Sequence, residues 1–147
     1  MMKIPYFAGL LMGLLLLLGC AEKKDPQTAI TSANLKTATA MFDAFNQHDW
    51  NKMASFYAAD AKFLDPAYGI DWVKKNKTEL MANYAAMQKV SPDIKDQISA
   101  IFAGDDKVSI QFTSSGTTEG HQWILPISTI LTFKDGKIIS DATYYDK

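Results

Sequence analysis

The chain has 147 residues, 48% of them hydrophobic and 12% aromatic, enough for one domain with a core of its own. Fifteen basic against sixteen acidic residues leave a net charge of -1, and the charges are scattered, which argues against nucleic acid as a partner. Every basic residue is a lysine, so the bidentate forks with which arginine holds carboxylates and phosphates are missing, and anionic substrates lose weight.

Met1 to Gly19 carries one charge, Lys3, and the run IPYFAGLLMGLLLLLG, ahead of Cys20 and the polar AEKKDPQT. A charge, an apolar centre and a small-residue boundary are the parts of an export signal. The run falls short of the roughly 20 apolar residues of a spanning helix. Leu17-Leu18-Gly19-Cys20 resembles the bacterial lipobox. That resemblance implies a signal peptide over residues 1–19 and a Cys20 that carries lipid, palmitate included, at the start of the mature protein. Several acyl chains hold firmly where one, at about 0.8 kcal/mol per CH₂, attaches only marginally. Cys20 is the sole cysteine, so no internal disulfide forms. Ala21 after the cysteine resembles the outer-membrane sorting default. The expected location is the bacterial cell envelope, on the outer membrane facing the periplasm in a Gram-negative host.

Residues 20–30 read as a polar tether and residues 31–147 as the domain. From Thr31 to about Gln47, Leu35, Ala38, Met41, Phe42 and Phe45 recur at helical spacing. Asp49 then suits the N-cap of a short second helix with Trp50, Met53, Phe56 and Tyr57. Ala61 to Leu64 reads as a strand stopped by Asp65-Pro66. Asp71 is the expected cap of a third helix reaching Lys89, with Val73, Leu80, Tyr84 and Met87 on one face. Strands follow over Ile94–Ala103, Lys107–Ser115 and HQWILPISTILTF, and Lys134-Asp135-Gly136-Lys137 is a hairpin turn before IISDATYYD. Pro126 implies a bulge, a bend or an edge position. Helices first and strands after indicate an α+β fold, a curved, mainly antiparallel sheet packed against three helices.

HDWNKMASFYAADAKFLDPAYG, then SPDIK, then FKDGKIISDATYYD resemble the SnoaL-like branch of the nuclear transport factor 2 superfamily, over about Ala33 to Lys147. The resemblance implies a cone-shaped fold whose bent sheet wraps a pocket closed by helices. Polyketide cyclases, ketosteroid isomerases, hydratases and domains of no known reaction share it, so fold does not fix activity. Asp65 matches the general base of ketosteroid isomerases. The tyrosine and aspartate of their oxyanion hole fall on Met41 and Thr129, which argues against steroid isomerisation. Asp141 lies where SnoaL-type cyclases carry acid–base residues, without their HWD-like pattern.

Period-two alternation puts His121, Trp123, Leu125, Ile127, Thr129, Leu131 and Phe133 on one strand face, and Ile139, Asp141, Thr143 and Tyr145 on another. The expected pocket comprises Met41, Phe45, Phe63, Asp65, Tyr84, Trp123, Leu125, Ile127, Thr129, Asp141, Thr143 and Tyr145. Asp65 and Asp141, singly or together, are the candidate acid–base residues, and for each a structural role competes: Asp65 as a turn former, Asp141 as a solvated residue or lysine partner. His48 reads as a loop residue. Two histidines without paired spacing suggest no metal, and no cofactor motif is present. Three readings stand: a lipid-anchored domain binding a small, largely apolar ligand; an acid–base enzyme (isomerase, cyclase or hydratase type) on a carbonyl compound; and an interaction module dimerising through the outward face of Ile124, Ser128 and Ile130.

Overall fold

The computed structural model describes residues 25–146; the expected signal peptide over residues 1–19 and Cys20 lie outside the described residues. Asp25 accepts from the Gln27 N–H at 3.2 Å, and Pro26 stands at the first helical position, where its missing N–H leaves nothing unpaired. Helix α1 therefore runs Pro26–Asn46, beginning ahead of the expected Thr31. Its inward face is Ala38, Met41, Phe42 and Phe45, all buried. His48 turns the chain at φ 55, and Asp49 caps α2 (Trp50–Ser55) by accepting from the Lys52 N–H at 2.9 Å. Tyr57 does not end that helix as expected. It opens β1 (Tyr57–Leu64), where pairing with Ile138 and a bond to Asp141 outweigh further helical turns.

The helix expected from Asp71 is also corrected. Val73 belongs to β2 (Val73–Lys74), paired antiparallel with Phe63, and α3 spans Lys77–Val90. Its cap is Asn76, whose side chain accepts from the Glu79 N–H at 3.0 Å while the Glu79 carboxylate accepts from the Asn76 N–H at 2.8 Å. This reciprocal box satisfies two otherwise free donors.

Strands β3 (Lys95–Gly104), β4 (Lys107–Thr118), β5 (His121–Lys134) and β6 (Lys137–Tyr144) complete a sheet of order β2-β1-β6-β5-β4-β3. All neighbours are antiparallel except β1 and β6. Both Asp135 and Gly136 take positive φ, as a two-residue hairpin requires. A bulge shifts the β5–β6 register between Thr132 and Phe133, so Phe133 faces Ile138 and Thr132 faces Ser140. Ile138, not the expected Ile139, is thereby fully buried. Pro126 breaks no register: β6 reaches only to Ser128, so Pro126 occupies a stretch of β5 with one free side, the edge alternative. Helices cover one face, against which Thr129, Leu131 and Phe133 are buried, while Ile124 and Ile130 on the other are exposed.

Gly116 decides where Trp123 can sit. The Trp123 indole N–H donates to Ser91 Oγ at 3.1 Å and to Thr118 Oγ1 at 3.2 Å, and Ser91 Oγ donates to the Thr117 carbonyl at 3.0 Å. A Cβ on Gly116 would strike Ser91 Oγ and stand 2.9 Å from the Trp123 ring. Gly116→Ala should therefore cost about 1–3 kcal/mol in urea unfolding, whereas Gly104→Ala, with nothing within 4 Å, should change stability far less.

Candidate ligand cavity

Between helices and sheet lies a cavity of about 440 Å³. Helix α1 supplies Met41, Phe42 and Phe45; α3 supplies Asn83, Tyr84 and Met87. The sheet contributes Asp96, Phe112, Ser114, Trp123, Leu125, Ile127 and Thr143, and the loop after β1 closes the wall with Asp65 and Tyr68 beside Tyr145. The lining is apolar and aromatic with a few convergent polar groups, the usual make-up of a small-molecule site.

The aromatic wall is braced from behind. Phe45 meets Tyr84 edge to face at 5.6 Å and Trp50 at 5.4 Å, and Trp50 stacks on Tyr84 at 5.7 Å. The Trp50 N–H donates to Gln88 Oε1 at 2.9 Å. That fixes the Gln88 amide, whose nitrogen donates to His48 Nδ1 at 2.8 Å, so His48 Nε2 carries the proton given to the Ile94 carbonyl at 2.9 Å. His48, expected as a loop residue, is at once a turn and a strut between α3 and the sheet.

Of the residues expected at a pocket, Met41, Phe45, Asp65, Tyr84, Trp123, Leu125, Ile127, Thr143 and Tyr145 line this cavity. Phe63, Thr129 and Asp141 do not. Phe63 packs against the Tyr57 ring at 5.2 Å within the core. Thr129 and Asp141 are turned towards each other: Asp141 Oδ1 accepts from Thr129 at 2.6 Å and Thr143 at 2.9 Å, and Oδ2 accepts from Tyr57 at 2.8 Å. Burial raises the Asp141 carboxyl above its usual range, and these three hydroxyls only partly offset that. It follows that Asp141 is no solvated residue, and among the described residues it has no lysine partner. Thr129, with its hydroxyl engaged, and Met41, a thioether, leave the isomerase-type oxyanion positions without a free donor. His121 is exposed and lies outside the cavity.

Asp65 is half-buried in the wall. Its Oδ1 accepts from the Ala67 N–H at 2.7 Å, an Asx-type turn, and from the Tyr145 hydroxyl at 2.8 Å. The turn-forming and cavity-lining roles thus coincide. Burial and that bond push the Tyr145 phenol up to about 12, which keeps it a donor.

Asp96 is the residue that the sequence reading missed. Its backbone N–H and carbonyl both bond the Asn46 side chain at 2.8 Å, and its carboxylate lies on the cavity wall next to Ser114. Burial raises its pKa to about 6, against a smaller downward pull from Ser114. Oδ1 is buried, with no hydrogen-bond partner among the described residues. A signal existed: Asp96 stands two residues after the buried Ile94 and two before Ile98, in the inward register of its strand. The arrangement can hold an apolar body among rings and offers two carboxylates, one of which changes charge near pH 6.

A carboxyl at about 6 when folded and 3.8 ordinarily keeps its proton after the unfolded chain has lost it. Stability is then fully present below pH 3.8 and falls as pH rises through 6. The loss is on the order of 2–3 kcal/mol. Asp96→Asn should be more stable than the parent protein by about 1–3 kcal/mol at pH 7.5, with the gap closing near pH 4 in denaturant titrations at both pH values.

A family model described as SnoaL-like domain matches residues 38–140. No match is found among curated proteins. Among solved structures, the chain is similar to a hypothetical protein with a ketosteroid isomerase-like fold from Catenulispora acidiphila, in complex with trimethylamine (22% identity, TM-score 0.67, covering 76% of this chain and 85% of that one). It is similar to a candidate SnoaL-like polyketide cyclase from a Jannaschia species (17%, TM-score 0.68, covering 85% and 91%). A third similar structure is an epoxide hydrolase of M. tuberculosis (16%, TM-score 0.68, covering 79% and 84%). At these identities the likeness is one of fold. The family model spans most of the chain, and the observed helices and sheet agree with it: the protein belongs to the SnoaL-like domain family, within the nuclear transport factor 2-like fold.

Proposed function

We propose that the protein is a lipid-anchored SnoaL-like domain that binds a small, largely apolar ligand in its cavity. The observation that carries this is the volume of about 440 Å³ left between α1, α3 and the sheet, walled by Phe45, Tyr84, Trp123 and Leu125. Core side chains close-pack wherever nothing else has to fit, so a braced aromatic chamber left open marks a binding site. The trimethylamine complex of the Catenulispora protein supports the reading, since a fold of this kind there holds a small molecule. Leu17-Leu18-Gly19-Cys20 supports the anchor, and a cell-envelope position follows from it.

Native mass spectrometry and a thermal-shift screen of small apolar compounds test the pocket. Leu125→Trp, which fills the chamber, should weaken any hit at least about tenfold, while Ile124→Ser on the exposed face should leave it unchanged. Equal affinity in both variants would put the ligand elsewhere. For the anchor, Cys20→Ser should move the protein from the membrane fraction into the soluble or signal-retaining pool, with loss of metabolic palmitate labelling.

A further inference from the structure

The charges around the cavity are one-sided. Asp65 and Asp96 are on its wall, and among the described residues no lysine or histidine lines it. Among the described residues the ion pairs are Lys74–Asp60 and Lys107–Asp106, both on the exposed surface, so neither compensates these acids. The field of the carboxylates converges inside: the Tyr84 phenol is raised first by burial, then by the negative charges of Asp141, Asp96 and Asp65 with a contribution from Tyr68. A buried carboxylate without a cation is a costly element of a fold, and natural structures pair or saturate such groups.

Asp141 shows what saturation looks like, with three hydroxyls on its two oxygens. Asp96 has the Ser114 hydroxyl, and its Oδ1 has no partner although no solvent reaches it. Asp96 shares the chamber wall with the rings of Phe45, Tyr84 and Trp123. Aromatic faces attract cations and reject anions. A neutral ligand would fill the chamber yet leave its negative field uncompensated.

Resting on the reading of the cavity as a ligand site, we infer that its ligand is a small amine cation with apolar substituents, whose charged nitrogen lies by Asp96 and whose hydrocarbon part packs on Phe45, Tyr84 and Trp123. The acid supplies the charge complement and the rings supply both apolar contact and cation–π attraction. Among the described residues no lysine, which would repel such a ligand, stands on the wall.

Cyclohexylammonium and cyclohexanol test this, because they share a ring and a donor and differ in charge. Their affinities for the full chain in detergent micelles, corrected for empty micelles, should favour the ammonium at least about tenfold at pH 7.5. Asp96→Asn should reduce that preference to about threefold or less. If both compounds bind equally, the cavity is a ligand site and the inference about charge is overturned. If the preference survives in Asp96→Asn, the cation sits elsewhere and the inference also falls. If neither compound binds, the ligand-site reading itself fails, and the inference with it.

Discussion

Asn46, the last residue of α1, uses both ends of its amide on the backbone of one residue, Asp96. β3 is an edge strand of the sheet, and the N–H and carbonyl of Asp96 point away from β4 into the position where a further strand would pair. The side chain of Asn46 stands in for that strand. Two consequences follow from one clasp. The end of α1 is fixed over the rim of the sheet, and Asp96 and Ser114 become a pair that exchanges no backbone hydrogen bonds, the geometry in which opposed side chains approach most closely. The Asp96 carboxylate thus meets the Ser114 hydroxyl and is held inside the chamber.

The two most buried acids near the chamber show opposite solutions to one problem. Asp141 is surrounded by hydroxyls from β1, β5 and β6, so its burial links three strands and leaves little acceptor capacity for a guest. Asp96 is linked by its backbone, and among the described residues its buried Oδ1 has no hydrogen-bond partner. Unsatisfied polar atoms in a well-packed fold concentrate where a fold serves something besides its own stability. By that criterion Asp96 is the acid that stands apart, and Asp141 serves as internal framework.

Much of the fold was legible because local chemistry and tertiary context agree. Asp49 caps a helix in isolation and in the protein, and Asp135-Gly136 turns a hairpin by backbone preference alone. Legibility failed where two local signals competed. Asp71 and Asn76 both suit a cap, and Val73 fits a helical face as well as a strand; pairing with Phe63 decides, and a sequence does not display pairing. It failed again at bulges. Alternation put Ile139 inward, but the shift between Thr132 and Phe133 carried Ile138 in instead. In the site, the aromatic and aliphatic wall was readable from period two on β5, since Trp123, Leu125 and Ile127 needed only the strand to be straight. Asp96 was overlooked although it obeys the same rule, because an acid in an inward register looks like a surface residue until its neighbours are known.

The bracing of the chamber bears on how it works. Trp50, Gln88, His48 and the Ile94 carbonyl form one chain of contacts that runs from α2 through α3 to the start of β3, and Ser91 with Gly116 holds Trp123 at the same end of α3. Both walls of the chamber are therefore fixed to α3, and neither depends on a guest for its position. A chamber shaped in advance loses little conformational freedom when occupied, so even a small ligand with few contacts can be held. The Asp96 carboxylate keeps a buried acceptor with no partner among the described residues, a cost in stability that the fold carries.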